Sequence, residues 1–149
     1  MFKHVFTPTD GSELSIDAEA QAVRFAKALG ANLTFLYARP DYPVSFYGEG
    51  ALIDPTTPEQ FAQATAAQAK DILDAARARA REGGVECATV SVIGNTPWEA
   101  IIEEAAKAGA DVIFMASHGR RGLAGLILGS ETQKVLTHSK IPVLVYRQG

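Results

Sequence analysis

The chain has 149 residues with a net charge of −3, and its 47% hydrophobic and 21% charged residues are the proportions of a soluble globular protein. This length supports one domain with a substantial core, so we expect a single domain over residues 1–149. The small negative charge gives no electrostatic reason to expect a nucleic acid or an anionic membrane as partner. With one cysteine, no membrane-length apolar run and no signal peptide, we expect a cytoplasmic protein.

The chain begins with a predicted strand, helix and strand. Strands are predicted at residues 4–7 and 33–38. The helix between them begins at residue 12 or 13 and ends at Leu29, with Gly30 as its stop. Its expected apolar stripe, at spacings of three and four, is Leu14, Ala18, Ala22, Phe25 and Leu29.

Asp10 lies in the turn directly after the first strand. In a parallel sheet this turn is at the carboxyl edge, where ligands bind in open α/β folds. Asp10 is therefore a candidate to hydrogen-bond an adenine or a ribose, or to help hold a metal. The alternative is that its carboxylate only caps the turn or the helix that follows.

The middle of the chain contains a long irregular segment and a long helix. Residues 39–58 are rich in proline and aromatic residues, and either fold over a ligand or pack on a partner. An alanine-rich helix is predicted at residues 57–81, ended by Gly83-Gly84, and its arginines at 77, 79 and 81 are expected to face solvent. Its expected buried face is Phe61, Gln68, Ile72, Ala75 and Ala76.

A third strand, at residues 85–93, and a third helix, at residues 97–107, come next. Pro97 is predicted at the first helical position with Thr96 as the cap. Cys87 is interpreted as a small core residue, since no base or second cysteine lies beside it in the sequence. The helix is expected to bury Trp98, Ile101, Ile102 and Ala105.

The last part of the chain carries the strongest functional signal. A buried strand at residues 112–115 leads into a loop with four glycines, and a helix is predicted at residues 131–136. Ser130 is placed to be its N-cap, with Gln133 as the partner in a capping box. A final apolar strand, at residues 141–146, begins near a proline.

Strand, glycine-rich loop and helix N-terminus together form an arrangement that can hold a phosphate. Glycines allow backbone amides to approach an anion, the helix N-terminus adds unpaired donors, and Arg120 and Arg121 can neutralise charge from the side. The alternative is a surface loop whose glycines only make turns. The loop is neither a Walker A motif, since Gly129-Ser130 is followed by Glu131, nor a dinucleotide fingerprint.

Strand and helix alternation predicts one doubly wound α/β fold. Five parallel strands in the order 3-2-1-4-5, with helices on both faces, form a Rossmann-like sheet. The order reverses between strands one and four. The Asp10 turn and the Gly119 loop therefore face each other across one crevice.

These motifs resemble those of the universal stress protein family. Its nucleotide-binding members carry Gly-x-x-Gly, nine residues and then Gly-Ser or Gly-Thr after the fourth strand. Here Gly119 is followed by nine residues and then Gly129-Ser130, whereas the first anchor falls on Ala116. If that position requires a positive φ, alanine is strained there; if it only requires a close approach, the penalty is smaller. Other segments typical of the family are Pro8-Thr9-Asp10-Gly11-Ser12, Ser117-His118-Gly119-Arg120-Arg121-Gly122-Leu123 and Pro142-Val143-Leu144-Val145.

The resemblance covers essentially the whole chain and implies an ATP-binding sensor or regulatory module of the stress response, accompanied by Mg²⁺. Asp10 and the backbone of Ala38 would line the adenosine end, Met115 and Ala116 would pass under the ribose and phosphates, and the later residues would bind phosphate. The implied nucleotide-binding residues are Pro8, Asp10, Ala38, Met115, Ala116, Gly119, Arg120, Gly129, Ser130 and Glu131.

Two other functions stay open. The first is a nucleotide-free homodimeric interaction protein, since the strand at residues 142–146 would lie at a sheet edge and family members commonly pair there. The second and weaker one is slow ATP hydrolysis with His118 in proton transfer. No general base, metal-ligand spacing or nucleophile motif supports a dedicated enzyme.

Overall fold

The computed structural model describes residues 1–42, 57–118 and 128–148. Strands and helices alternate along these ranges, as predicted. The elements in chain order are β1 (His4–Pro8), α1 (Glu13–Leu29), β2 (Asn32–Arg39), α2 (Pro58–Glu82), β3 (Cys87–Ile93), α3 (Pro97–Lys107), β4 (Val112–Ala116), α4 (Ser130–His138) and β5 (Val143–Tyr146). Within the described part of the chain, no helix is both long and apolar enough to cross a membrane.

The five strands form one parallel sheet in the order β3-β2-β1-β4-β5, which confirms the predicted fold class. β1 pairs with β2 on one side and with β4 on the other, so that Val5 lies opposite both Leu33 and Val112. The strand order reverses between β1 and β4, and their carboxyl ends meet at the same edge of the sheet. This is the switch point of the fold, where ligands bind in doubly wound sheets.

Both faces of the sheet are buried. Val5 packs with α1 and α2 in one core, whereas Phe6, its neighbour on β1, packs with α3 and α4 in the other. This alternation follows from the two-residue period of a strand, and explains why consecutive residues of β1 and of β4 are buried. Both residues are completely buried.

Helix ends agree with the capping chemistry in the sequence. Ser12 caps α1 by accepting from the Ser15 amide, and Gly30 ends the helix in the left-handed conformation, with φ 63°. α2 begins with a capping box that joins Thr57 to Gln60.

Two strands begin later than predicted, β3 at Cys87 and β5 at Val143. Cys87 is only half-buried rather than a full core residue.

The buried faces of the long helices differ from the predicted ones. In α2 the alanine-rich sequence leaves the periodicity ambiguous, and the buried residues are Thr65, Ala69, Leu73, Ala76 and Ala80. In α1 the predicted Leu29 is 38% exposed, while the charged Glu19 is completely buried. Two α2 arginines expected in solvent also bind protein groups: Arg77 donates to Thr89 Oγ1 and Arg79 pairs with Glu19. In α3, Ile101 and Ala105 are buried as predicted, but Trp98 and Ile102 are only partly so.

Gly83 brings the end of α2 against α1, and we expect its replacement by alanine to destabilise the fold. A Cβ at Gly83 would lie 2.4 Å from Val23 Cγ1, inside the buried core. The expected loss in free energy of unfolding, measured by urea denaturation, is about 1–3 kcal/mol. Gly94→Ala is the matched control, because a Cβ there meets nothing within 4 Å. Equal stability of the two variants would contradict the proposed contact.

Candidate functional site

A cavity of about 650 Å³ opens at the carboxyl edge of the sheet, where β1, β2 and β4 end. Every predicted site residue within the described ranges lines it. These are Pro8, Asp10, Ala38, Met115, Ala116, Gly129, Ser130 and Glu131. The other two, Gly119 and Arg120, lie outside the described residues, as do residues 43–56 of the proline-rich segment.

Asp10 lies in the β1–α1 turn on the cavity wall. Its Oδ1 accepts a hydrogen bond of 2.9 Å from the Ser12 amide, two residues along the chain. This is the turn-capping role that the sequence offered as the alternative to ligand binding. The two roles are compatible here, since the capped carboxylate is at the same time part of the cavity wall.

Ala116 ends β4 at the floor of the cavity. Among the described residues, no residue other than glycine has a positive φ, so alanine is not strained at this position. Its carbonyl accepts a 3.0 Å hydrogen bond from Thr132 Oγ1, which joins the end of β4 to α4. Of the two possibilities raised by the missing glycine, backbone strain is therefore excluded.

Gly129 rather than Ser130 is the N-cap of α4, which corrects the predicted capping box. The first helical bond runs from the Gln133 amide to Gly129 O, while the Gln133 side chain donates to Leu128 O. The sequence favoured a serine cap because serine is a preferred N-cap residue. The observed cap instead lets the Gly129 amide donate to Ser117 O at 2.8 Å.

The glycine at position 129 is required by close packing. A Cβ there would lie 2.9 Å from His118 Cβ and 3.0 Å from His118 Cα.

Because Gln133 makes the first helical bond, the amides of residues 130–132 have no partner within α4. Such amides, together with the helix dipole, form a site for an anion.

The side chain of Glu131 joins α4 to α3. Its Oε2 accepts from the Trp98 amide at 2.8 Å, in the first turn of α3. The predicted cap, Thr96, makes no capping hydrogen bond with its side chain. Glu131 thus caps α3 from another element, and the Trp98 and His138 rings, 4.6 Å apart, form a second contact between the two helices.

We expect Glu131→Ala to destabilise the protein by about 1 kcal/mol, the usual cost of losing a helix cap. Urea unfolding, followed by the fluorescence of Trp98, the one tryptophan of the chain, measures the loss. Glu131→Gln keeps an acceptor for the Trp98 amide and should lose less. If alanine and glutamine were equally harmful, the capping role would be wrong.

Sequence reasoning missed part of the cavity wall. The missed residues are Thr9, Ser15, Leu36, Tyr37, Pro40, Gly94, Asn95, Pro97, Ile101 and Thr132. His118, named from the sequence as a candidate for proton transfer, also lines the cavity. The predicted strand order contained a signal for several of them, since the turn after strand three emerges at the same sheet edge. Within the described ranges, no group of three or more His, Cys, Asp or Glu side chains is arranged to hold a metal ion.

Comparison with known proteins gives a consistent result. The family model described as "Universal stress protein family" matches residues 1–147. Universal stress protein YxiE of Bacillus subtilis is 31% identical over 151 residues, covering 99% of this chain and all of its own. The solved structure of universal stress protein UspA from Lactobacillus plantarum is 29% identical, with a TM-score of 0.79 and 97% of each chain covered.

A further solved structure is a universal stress protein in complex with cAMP, which is 27% identical with a TM-score of 0.72 and 99% of each chain covered. These likenesses extend over nearly the full length of each of the three proteins named. The chain belongs to the universal stress protein family.

Proposed function

We propose that this chain binds ATP in the cavity between the Asp10 turn and α4, and acts in the cytoplasm as a sensor or regulatory module of the stress response. One observation carries the proposal. At the switch point of the sheet, a cavity ends at a helix N-terminus whose glycine cap packs against Ser117 and His118. The related protein solved with cAMP supports an adenine nucleotide as the ligand class.

In this proposal each end of the cavity recognises one part of the nucleotide. Asp10 and the backbone of Ala38 bind the adenosine, and Met115 and Ala116 form the floor under the ribose and phosphates. The amides of Gly129, Ser130 and Glu131 bind the phosphates, and we also assign Pro8, Gly119 and Arg120 to the site. Mg²⁺ accompanies the triphosphate, whose charged oxygens are the ligands it prefers.

The fit of these residues to a phosphate rests on two features of α4. Its first amides lack partners within the helix, and the cap lacks a side chain that would block their approach. The carboxylate of Glu131 carries a charge that would repel phosphate, but it is held by the Trp98 amide on α3. The backbone of Glu131 is then available to an anion while its side chain is already paired.

Mass spectrometry of small molecules released from freshly purified, undialysed protein tests the proposal, followed by calorimetric titration with ATP and Mg²⁺. We expect bound adenine nucleotide and a binding heat that Asp10→Ala weakens. Asp74→Ala is the matched control, since Asp74 lies on the exposed side of α2. A folded protein with no nucleotide and no binding heat would overturn the proposal and favour the nucleotide-free interaction protein.

We also propose that the chain forms a homodimer through its last strand, residues 142–146. β5 lies at the end of the sheet order. Pro142 O accepts from the Ile113 amide of β4, and Tyr146 O accepts from Ser117, directly after β4. The alternation of a parallel ladder therefore turns the backbone groups of Val143 and Val145 away from β4. An edge with such groups is suited to pair with a second copy.

Sedimentation of wild type and Val145→Pro tests the dimer. Proline removes an amide on the side away from β4, so we expect wild type to sediment as a dimer and the variant as a folded monomer. A wild-type monomer at every concentration would contradict the proposal. Nucleotide titration of both forms shows whether dimerisation and binding are separate properties.

A further inference from the structure

Glu19 is a charged side chain that is completely buried between α1, α2 and the β1–α1 turn. Its Oε1 accepts from the Thr9 hydroxyl, and its Oε2 is paired with the guanidinium of Arg79 on α2. Burial raises the pKa of Glu19, while the Thr9 hydrogen bond and the Arg79 charge oppose that rise. Burying a carboxylate is costly, so its presence here calls for a specific use.

Thr9 connects Glu19 to the cavity. Thr9 and Ser15 both line the cavity wall, on either side of Asp10. Since the single proton of the Thr9 hydroxyl is donated to Glu19, its oxygen is left as an acceptor, and the Gly11 amide lies 3.3 Å from it. Ser15 Oγ donates to Ser12 O and is 3.4 Å from the Asp10 amide. The carboxylate therefore fixes the Thr9 hydroxyl as a donor to Glu19 and leaves the Thr9 oxygen to accept from the Gly11 amide.

We propose that Glu19 is a positioning residue for the adenosine end of the site. It orients the Thr9 hydroxyl and, through it, the backbone of the turn that presents Asp10; this role rests on the proposed nucleotide binding. Glu19 itself reaches no ligand, since it is completely buried. Arg79 holds the carboxylate charged and in place from the far side, so that α2 supports the binding turn without lining the cavity.

Glu19→Gln keeps the size and shape of the side chain but reverses the direction of its hydrogen bond with Thr9. The carboxylate accepts at both oxygens, whereas glutamine has one acceptor and one donor group. Arginine only donates, so the amide oxygen stays with Arg79 and the NH₂ group faces Thr9. The Thr9 hydroxyl must then accept where it donated, and its proton turns towards Ser15 Oγ, 3.1 Å away, which can accept it, whereas the Gly11 amide is itself a donor.

The test compares three probes by calorimetry: adenosine, Mg²⁺–ATP and inorganic tripolyphosphate. For Glu19→Gln we expect the affinities for adenosine and ATP to fall by the same factor, about five- to tenfold, which is the size of one ordinary net hydrogen bond. The affinity for tripolyphosphate should stay unchanged, because the N-terminus of α4 is not altered. Thr9→Val in the Glu19→Gln background should add little further loss, since the two residues act through one contact.

Two controls distinguish a specific effect of Glu19 on the β1–α1 turn from a general loss of rigidity of the fold. Glu104→Gln removes the carboxylate paired with Lys107 on α3, away from the turn, and should leave all three affinities unchanged. Amide exchange of Gly11 in the ligand-free protein should become faster in Glu19→Gln, while the Ile113 amide in the sheet keeps its protection. Equal loss for all three probes, or an unchanged affinity for adenosine, would overturn the proposal.

The proposed function and this role can fail separately. If wild-type protein binds none of the three probes, the nucleotide site is refuted and Glu19 has no ligand to position. The exchange of Gly11 then still decides whether Glu19 orders the turn, because it needs no ligand. If wild type binds adenosine while Glu19→Gln changes neither affinity nor exchange, nucleotide binding stands and the role of Glu19 is refuted.

Discussion

Replacing Gly129 by valine is expected to lower the affinity for Mg²⁺–ATP by about a hundredfold or more, equivalent to about 2.7 kcal/mol. The φ of −62° and ψ of 155° at Gly129 are accessible to valine, so the backbone conformation is not the obstacle. The obstacle is space, since even the first added carbon would lie 2.9 Å from His118 Cβ. Valine therefore forces the N-terminus of α4 away from His118, and the amides of residues 130–132 are displaced with it.

A graded series shows whether packing is the cause. Gly129→Ala should lose less affinity than valine, and Ser130→Ala, which leaves every backbone amide in place, should lose least. Titration calorimetry gives the affinities, and circular dichroism shows that each variant is folded. A Gly129→Val variant that binds ATP as tightly as wild type would refute the assignment of the phosphates to this helix N-terminus.

Arg79→Met is expected to lower the free energy of unfolding at neutral pH by about 3 kcal/mol, because it leaves a buried carboxylate without its cation. Glu19 is completely buried, while Arg79 is 33% exposed at its side chain. Water reaches part of the Arg79 side chain. The expected loss in free energy of unfolding is therefore at the lower end of the range for breaking a buried ion pair. Urea denaturation of both proteins measures the difference.

The loss should depend on pH in a defined direction. The pKa of Glu19 is raised by burial in the folded state, and removing Arg79 removes one of the effects that lower it. A group with a raised pKa favours folding when protonated, so the deficit of Arg79→Met should shrink as the pH falls from neutral towards 4.5, the ordinary value. Glu19→Gln should restore most of the stability at neutral pH in the double variant.

Lys70→Met is the control for the loss of a charge on the same helix. The pair of Lys70 with Asp74 is exposed, so its removal should change stability little at any pH. If Arg79→Met behaved like Lys70→Met, the buried pair would contribute nothing beyond a surface contact, and Glu19 would have to be stabilised by Thr9 alone.

The sheet order could be predicted because strands and helices alternate and because the two strands at the end of the chain, β4 and β5, are continuous apolar runs. Val112 to Met115 is an uninterrupted apolar run of strand length, and the right-handed crossover between parallel strands leaves few topologies. The same order predicted that Asp10 and the residues around position 129 meet at one edge. The structure places both on the same cavity.

Side-chain roles that depend on distant partners could not be predicted in the same way. An acidic residue inside a helix is normally solvated. Nothing near Glu19 in the sequence indicates that it pairs with Arg79, sixty residues later. The cap of α3 was assigned to Thr96 because local rules favour it, but the acceptor comes from Glu131 on another helix. Local propensity cannot distinguish a cap supplied by the adjoining residue from one supplied across the fold.

The contact between Glu131 and the Trp98 amide has a consequence for how the molecule is assembled during synthesis. The carboxylate that completes the first turn of α3 lies 33 residues further along the chain. While the ribosome has released only the chain up to β4, α3 has no carboxylate from α4 at its start, and this wall of the cavity stays frayed. The cavity therefore closes late, when α4 docks, and we expect that a nascent chain does not bind the proposed nucleotide before its last helix and strand have joined the sheet.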